Sequence, residues 1–233
     1  MARTVNRVAT VAENVARVRE RIADAGGDPA AVRLVAVTKG FGADVVEAVL
    51  DAGVTDVGES YAQELKVKAA APALAAVRWH FIGRLQSNKV KGLAKVVDLW
   101  QSIDREPLLR RLAEQAPGTS VLVQVNVAGE PGQGGCEPDA VEHLVQEAGA
   151  EGLHVAGLMA IGAPSPDQAR SGFRRLRELA DRLGLVERSM GMSADLEVAV
   201  EEGSTMVRVG RALFGPRPRG GVAVDPVTPV LPN

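Results

Sequence analysis

Eight short apolar runs rich in β-branched residues recur along this chain, each followed by turn residues and then by a helical period. They lie at 32–37, 55–58, 78–83, 96–103, 120–127, 153–161, 188–193 and 205–210. Helical patterns lie between them, for example at 43–52, 105–115, 138–150, 166–183 and 194–202. Strand and helix alternating in this way predict a parallel sheet with helices packed outside it. Eight such units favour closure, so the expected fold class is α/β, a (β/α)8 TIM barrel. An open doubly wound sheet is the competing arrangement. No G-x-G-x-x-G follows the first run, which weakens a dinucleotide-binding version of it. Ahead of the first run, Val5, Val8, Val11, Val15, Val18 and Ile22 recur at steps of three and four between arginines and glutamates. That spacing predicts an additional N-terminal helix, amphipathic rather than a secretion signal. Residues 1–215 are expected to form the single barrel domain. Residues 216–233, with five prolines in a short polar stretch, are expected to be a flexible tail.

Charge and cysteine content exclude several classes of partner. The formal charge is −2, with Arg and Glu evenly scattered, so no basic face is offered to a nucleic acid. Apolar runs stay well short of the roughly 20 residues that span a bilayer. The one cysteine, Cys136, rules out an intrachain disulfide and fits a reducing compartment. The expectation is a soluble cytoplasmic protein, a monomer or weak dimer, with no membrane or nucleic-acid partner.

Barrels place reactive groups at the carboxyl ends of their strands, with phosphate between the loops after the seventh and eighth. The first run ends in AVTKG. Its Lys39 is one of six lysines against 21 arginines and closes an apolar strand. Partial desolvation there would favour the free amine, which can attack an aldehyde and form an imine. A lysine whose ammonium group simply reaches water along its stem is the alternative. Ser193 and Gly210 fall at the ends of the two strands that flank the usual phosphate site, where a hydroxyl and a bare backbone suit an anion. Equally, Ser193 could cap a helix starting at Ala194. Arg208 and Gly210 share a strand face, so Arg208 points into the barrel and needs an acceptor. A pyridine nitrogen would serve, held unprotonated by a guanidinium that keeps its own protons. An ion pair with Glu59 would serve as well. His80, between Trp79 and Phe81, reads as a hydrogen-bonded core residue or as an assisting residue of the site. His143 and His154 lie whole units away, so no metal-ligand spacing appears. Cys136, in the loop GEPGQGGCEP, has no adjacent base and reads as inert, and the loop as a lid or connector.

The segments AVTKG, GESYAQE (58–64), WHFIGRLQSNK (79–89), QSID (101–104), VQVNV (123–127), GLMAI (157–161), MGMSADLEVAV (190–200) and GSTMVRVGRALFG (203–215) come in an order that resembles the pyridoxal-phosphate homeostasis proteins, YggS in bacteria and PROSC in animals. The resemblance runs from about residue 6 to Gly215. It implies a barrel like the amino-terminal domain of alanine racemase, with pyridoxal 5′-phosphate (PLP) carried on Lys39. Ser193 of the MGMS motif, with Gly210 and Arg211, would take the phosphate, Met192 of the same motif would be a further cofactor contact, and Arg208 would lie near the ring. The family often has Asn where this chain has Ser60, which turns an amide contact into a hydroxyl contact. A second lysine common two residues after the first is Phe41 here, and a loop lysine is Gln133.

The implied role is PLP homeostasis: a carrier that holds the cofactor and passes it to PLP-dependent apoenzymes. A low-activity amino-acid racemase is the alternative reading. Racemisation needs a second base besides the lysine. Racemases of this barrel type take a tyrosine from a second domain, whereas the sole tyrosine here is Tyr61, after the second run. A class I aldolase using Lys39 alone is a third reading, and it would be colourless.

Overall fold

The computed structural model describes residues 2–130 and 132–216, the backbone alone for residues 2–9. The expected tail at 217–233, like the side chains of Val5 and Val8, lies outside the described residues. Eight parallel strands close into one barrel in chain order: β1 (Arg33–Val37), β2 (Asp56–Glu59), β3 (Arg78–Phe81), β4 (Leu99–Ile103), β5 (Ser120–Val125), β6 (His154–Ala160), β7 (Glu187–Ser189) and β8 (Met206–Val209). Helix α1 (Ala2–Asp24) precedes the barrel. Around it lie α2 (Ala43–Asp51), α3 (Ala62–Ala69), α4 (Glu106–Gln115), α5 (Val141–Ala150), α6 (Pro166–Arg182), α7 (Leu196–Glu201) and α8 (Arg211–Phe214). All eight expected strands are present, and the closed barrel replaces the open-sheet alternative.

The hydrophobic core has two parts because each strand presents alternate residues to opposite sides. Most of it lies between the strands and the helices, with Trp100, Phe81, Phe173 and Ile22 fully buried there. A small inner cluster of Val35, Leu99, Leu122, Met159 and Met206 fills part of the lumen. The rest of the lumen is polar, a departure from the branched aliphatic filling usual in such barrels.

Strand β7 is shorter than its apolar run. Gly191 takes φ +93°, a conformation in which only glycine is unstrained, and a Cβ there would meet Ala199 Cβ at 2.5 Å. The chain bends at this point yet stays on β8, since Met190 N–H donates to Met206 O and Arg208 N–H to Gly191 O. Helix α1 braces this same end of the barrel. Arg21 pairs with Glu197 of α7 at 2.6 Å and donates to Ser193 O at 3.0 Å, and Asn14 donates to Leu213 O of α8 at 2.7 Å. No described helix is long and apolar enough to cross a membrane.

The glycine-rich loop after β5 is tied back to the barrel. Cys136 N–H donates to Gln124 O and Asn126 N–H to Cys136 O, both at 2.9 Å, and Gln124 Nε2 donates to Gly134 O at 2.7 Å. The Cys136 thiol is pushed up to about 12 by burial, with Asp104 adding to the shift. It is therefore expected to resist a disulfide reagent such as DTNB in the folded protein at neutral pH, with one thiol released in denaturant. Rapid labelling of the native chain would show that the loop opens.

Candidate functional site

The register of the sheet assembles the site. Strand β1 pairs with β8 so that Val35 lies opposite Arg208 and Ala36 opposite Val209. That carries Gly210 to Val37, where a Cβ on Gly210 would meet Val37 O at 3.1 Å. The Lys39 turn thus lies next to the Gly210–Arg211 segment at the carboxyl end of the barrel. Ser60 and Met192 stand at the same end, after β2 and β7. The backbone of Ser60 is packed so closely on Gly83 that a Cβ there would overlap Ser60 O.

Lys39 is half-buried, and the peptide groups on both sides of it are held by helix α3. Lys68 Nζ donates to Thr38 O at 2.9 Å, and Gly40 N–H donates to Glu64 Oε2 at 2.7 Å. Thr38 Oγ1 donates to Glu59 Oε1 at 2.6 Å, and Lys68 pairs with the same carboxylate. Gly40 takes φ +79°, which lets the turn close with Phe41 N–H on Thr38 O. Burial raises the Glu59 carboxyl above its usual range, against the pull of Lys68, and its Oε2 has no hydrogen-bond partner among the described residues. Phe41 packs tilted against Phe214 of α8 with ring centroids 5.3 Å apart, joining the lysine turn to the neighbouring segment after β8.

Sequence reasoning passed over Glu64 and Lys68. The signal was present as an i, i+4 Glu–Lys pair directly after a strand end. It was masked because these charged residues face inward while Val67 of the same helix is 66% exposed.

Ser193 does not cap the helix after it. Helix α7 begins at Leu196, and the Met192 N–H donates to Asp195 Oδ1 at 2.6 Å. The Ser193 hydroxyl instead accepts from Ala212 N–H at 3.1 Å, which ties the β7 loop to the start of α8 and leaves its own proton to donate. Arg211 is exposed at the rim.

Arg208 is not the partner of Glu59, which faces the helix layer and Lys68. Its guanidinium is almost fully buried and donates to Ser189 O and Oγ from Nη1, both at 2.7 Å, and to Ala160 O from Nη2 at 2.8 Å. No carboxylate lies within ion-pair distance of it among the described residues. Burial lowers it to about 10, so it remains charged at neutral pH. Three of its five N–H groups are used, and two remain for another acceptor.

His80 is fully buried below the mouth with both ring nitrogens engaged, Nε2 with Asp56 and Nδ1 with Gln101. Both nitrogens are thus spent within the barrel, which agrees with the hydrogen-bonded core reading of this residue. No group of three or more His, Cys, Asp or Glu residues able to hold a metal occurs among the described residues.

Residues 7–218 match the family model for the alanine racemase N-terminal domain. The pyridoxal phosphate homeostasis protein of Pseudomonas aeruginosa is 43% identical over 229 residues, covering 93% of this chain and 100% of that protein. The Escherichia coli K12 protein of the same name is 37% identical over 227 residues, covering 89% and 97%. Among solved structures, PipY of Synechococcus elongatus with PLP bound superimposes with a TM-score of 0.73 at 32% identity, covering 85% of this chain and 100% of that one. The alanine racemase of Streptomyces coelicolor, at 23% identity and a TM-score of 0.71, shares the fold and extends well past it, with 58% of its length covered. A turn lysine clamped at the mouth of the barrel, a hydroxyl and glycine beside it and a buried arginine beneath agree with these likenesses: the chain belongs to the alanine racemase N-terminal domain family and, within it, to the pyridoxal phosphate homeostasis proteins.

Proposed function

We propose that this chain binds PLP at the carboxyl end of its barrel, joined covalently to the Lys39 amine, and works as a carrier in intracellular PLP homeostasis. The observation that carries the reading is Arg208, a buried cation without a carboxylate, with two N–H groups to spare at the end of the strand that leads into Gly210. An aromatic nitrogen is a fitting acceptor for such a donor, and a bare Gly210 backbone lets an anion approach. PLP supplies an aldehyde that condenses reversibly with an amine, and that reversibility is what a carrier needs.

The chain's own groups divide the work. Lys39 offers the amine, and Glu64 and Lys68 fix the peptides on either side of it. Ser193, with the Gly210–Arg211 segment and Met192 beside it, would hold the phosphate, and Ser60 would contact the ring from β2. Arg208 would donate toward the ring nitrogen and hold it unprotonated, which would leave the ring a weak electron sink. Weak withdrawal of electrons favours holding the cofactor over turning over amino acids. Tyr61, the sole tyrosine, is 40% exposed at the start of α3. PLP-dependent apoenzymes are the proposed recipients, in the cytoplasm, with the chain acting as a monomer or weak dimer.

Mixing the purified chain with PLP, removing excess by dialysis and reducing with borohydride tests the proposal. The expected result is a yellow protein before reduction and one cofactor mass on the Lys39 peptide after it. A colourless dialysed sample would return the site to the plain aldolase reading. Ser193→Ala is expected to weaken PLP retention by about 1–3 kcal/mol, the usual range for a lost hydrogen bond to a charged group. An unchanged dissociation constant would remove Ser193 from the phosphate contacts.

A further inference from the structure

A continuous line of buried polar side chains crosses the barrel lumen, and holding PLP at the mouth makes no direct use of most of it. Arg208 Nη1 on β8 donates to Ser189 Oγ on β7 at 2.7 Å. Ser189 Oγ donates to Gln101 Oε1 on β4 at 2.7 Å. Gln101 Nε2 meets His80 Nδ1 on β3 at 2.7 Å, and His80 Nε2 meets Asp56 Oδ1 on β2 at 2.9 Å. Every member is at most 8% exposed. The line starts at the carboxyl end of β8 and finishes at the amino-terminal end of β2. There Asp56 faces Arg33 at 3.8 Å and Arg78 at 3.9 Å, and Arg33 reaches Glu187 at 3.1 Å. Asp56 and Arg33 also line a cleft of about 470 Å³ on that opposite face, with Arg19 and Thr55.

The two ends fix the direction of every bond between them. An arginine can only donate and a carboxylate can only accept. Ser189 therefore accepts from Arg208 and passes its own proton to Gln101. The amide carbonyl faces Ser189, so its NH2 faces His80, whose Nδ1 must accept. His80 is then the Nε2–H tautomer and donates to Asp56, which is held below the usual carboxylate range, with burial opposing and the His80 hydrogen bond and nearby arginines prevailing. Turning the amide over would set its NH2 against Ser189 Oγ and take from the Ser189 proton the acceptor it now has. It would also require a proton on Nδ1, and the neutral ring would then aim a bare Nε2 lone pair at a carboxylate. Each bond supports the next because all the dipoles point one way.

We propose that Ser189, Gln101 and His80 are positioning residues whose one-way hydrogen-bond chain, anchored on Asp56, keeps the lone pair of Ser189 Oγ on Arg208 and so fixes the guanidinium beneath the cofactor ring. The proposal rests on the PLP reading above and extends it to residues that never touch the cofactor. Without the Gln101 acceptor the Ser189 hydroxyl is free to rotate, and its proton can turn toward the cation. The guanidinium then loses an acceptor and its aim at the ring loosens.

Two measurements test this. In the apo protein labelled with 15N-histidine, with the His80 signals assigned through His80→Phe, His80 is expected to carry its proton on Nε2. A proton on Nδ1 overturns the chain. In the PLP-loaded protein, Gln101→Met keeps the side chain's length but removes both polar atoms. It is expected to shift the visible absorption band and weaken PLP retention by roughly three- to thirtyfold, while borohydride still fixes the cofactor on Lys39 and unfolding stays cooperative. A loaded variant whose band and retention match wild type overturns the proposal and leaves the PLP reading standing. A wild-type chain that takes up no PLP overturns the PLP reading, and this extension with it. Should Gln101→Met fail to fold, Ser189→Ala breaks the same chain with a smaller change and is read in the same way.

Discussion

Lys39→Ala is expected to give a folded, colourless protein from which borohydride recovers no covalently bound PLP. The chain has six lysines, and the other five are poorly placed for the proposed reaction. Lys66, Lys89, Lys91 and Lys95 are exposed on α3 and on or just beyond the turn at Ser87–Gly92. Lys68 is buried, and its three N–H groups face Thr38 O, Glu59 and Glu64, so it has no hydrogen or lone pair to spare for an aldehyde. Lys39 alone stands half-buried on a closed turn at the barrel mouth. Lys39 is not among the buried core residues, so the circular dichroism and the cooperative unfolding transition are expected to persist. Covalent cofactor recovered from another lysine of the variant would show that the wrong amine has been chosen.

Lys68→Met is expected to cost about 3–5 kcal/mol of folding stability, the range for stripping the partner from a buried charge. Glu59 is fully buried and Glu64 is 9% exposed, so neither can recruit water once the ammonium is gone. Thr38 O loses its donor as well. The loss should appear as a lower midpoint in denaturant at nearly constant slope. PLP retention should fall with it, because the same ammonium holds one of the peptides beside Lys39. Adding Glu59→Gln to Lys68→Met is expected to recover part of the stability by removing the stranded charge. A shift of less than about 1 kcal/mol in the single variant would mean that the cluster is hydrated and its pairing weak.

The parts of this molecule that were legible in the sequence are those where side-chain chemistry and position coincide. The eight runs appear as eight strands because each turns an apolar, largely β-branched side to the helix layer, where most of the core lies. Lys39, Ser193 and Gly210 could be picked out because a lysine closing an apolar strand, a hydroxyl after a strand and a glycine at a strand end are each unusual for their place. The charged pair of helix α3 was missed for the opposite reason. Two of its three buried residues, Glu64 and Lys68, are charged, and no apolar stripe announces it. The Arg208 alternative went wrong because Glu59 alternates to the outer side of β2, a matter of register that composition does not reveal. His80 looked like a loose candidate because its partners, Asp56 and Gln101, lie 24 and 21 residues away in the chain.

Sequence alone determined the class of fold and the end of the barrel at which the candidate residues gather, since periodicity and strand-end residues are local properties written in the order of side chains. Only the tertiary structure decided which polar groups face one another. Closing the barrel brings β8 against β1, sets the lysine turn beside Gly210, and lines five distant residues into one chain of hydrogen bonds. Such pairings depend on strand register and on whether a buried charge finds its partner, and both are settled by distances that appear only when the sheet has closed.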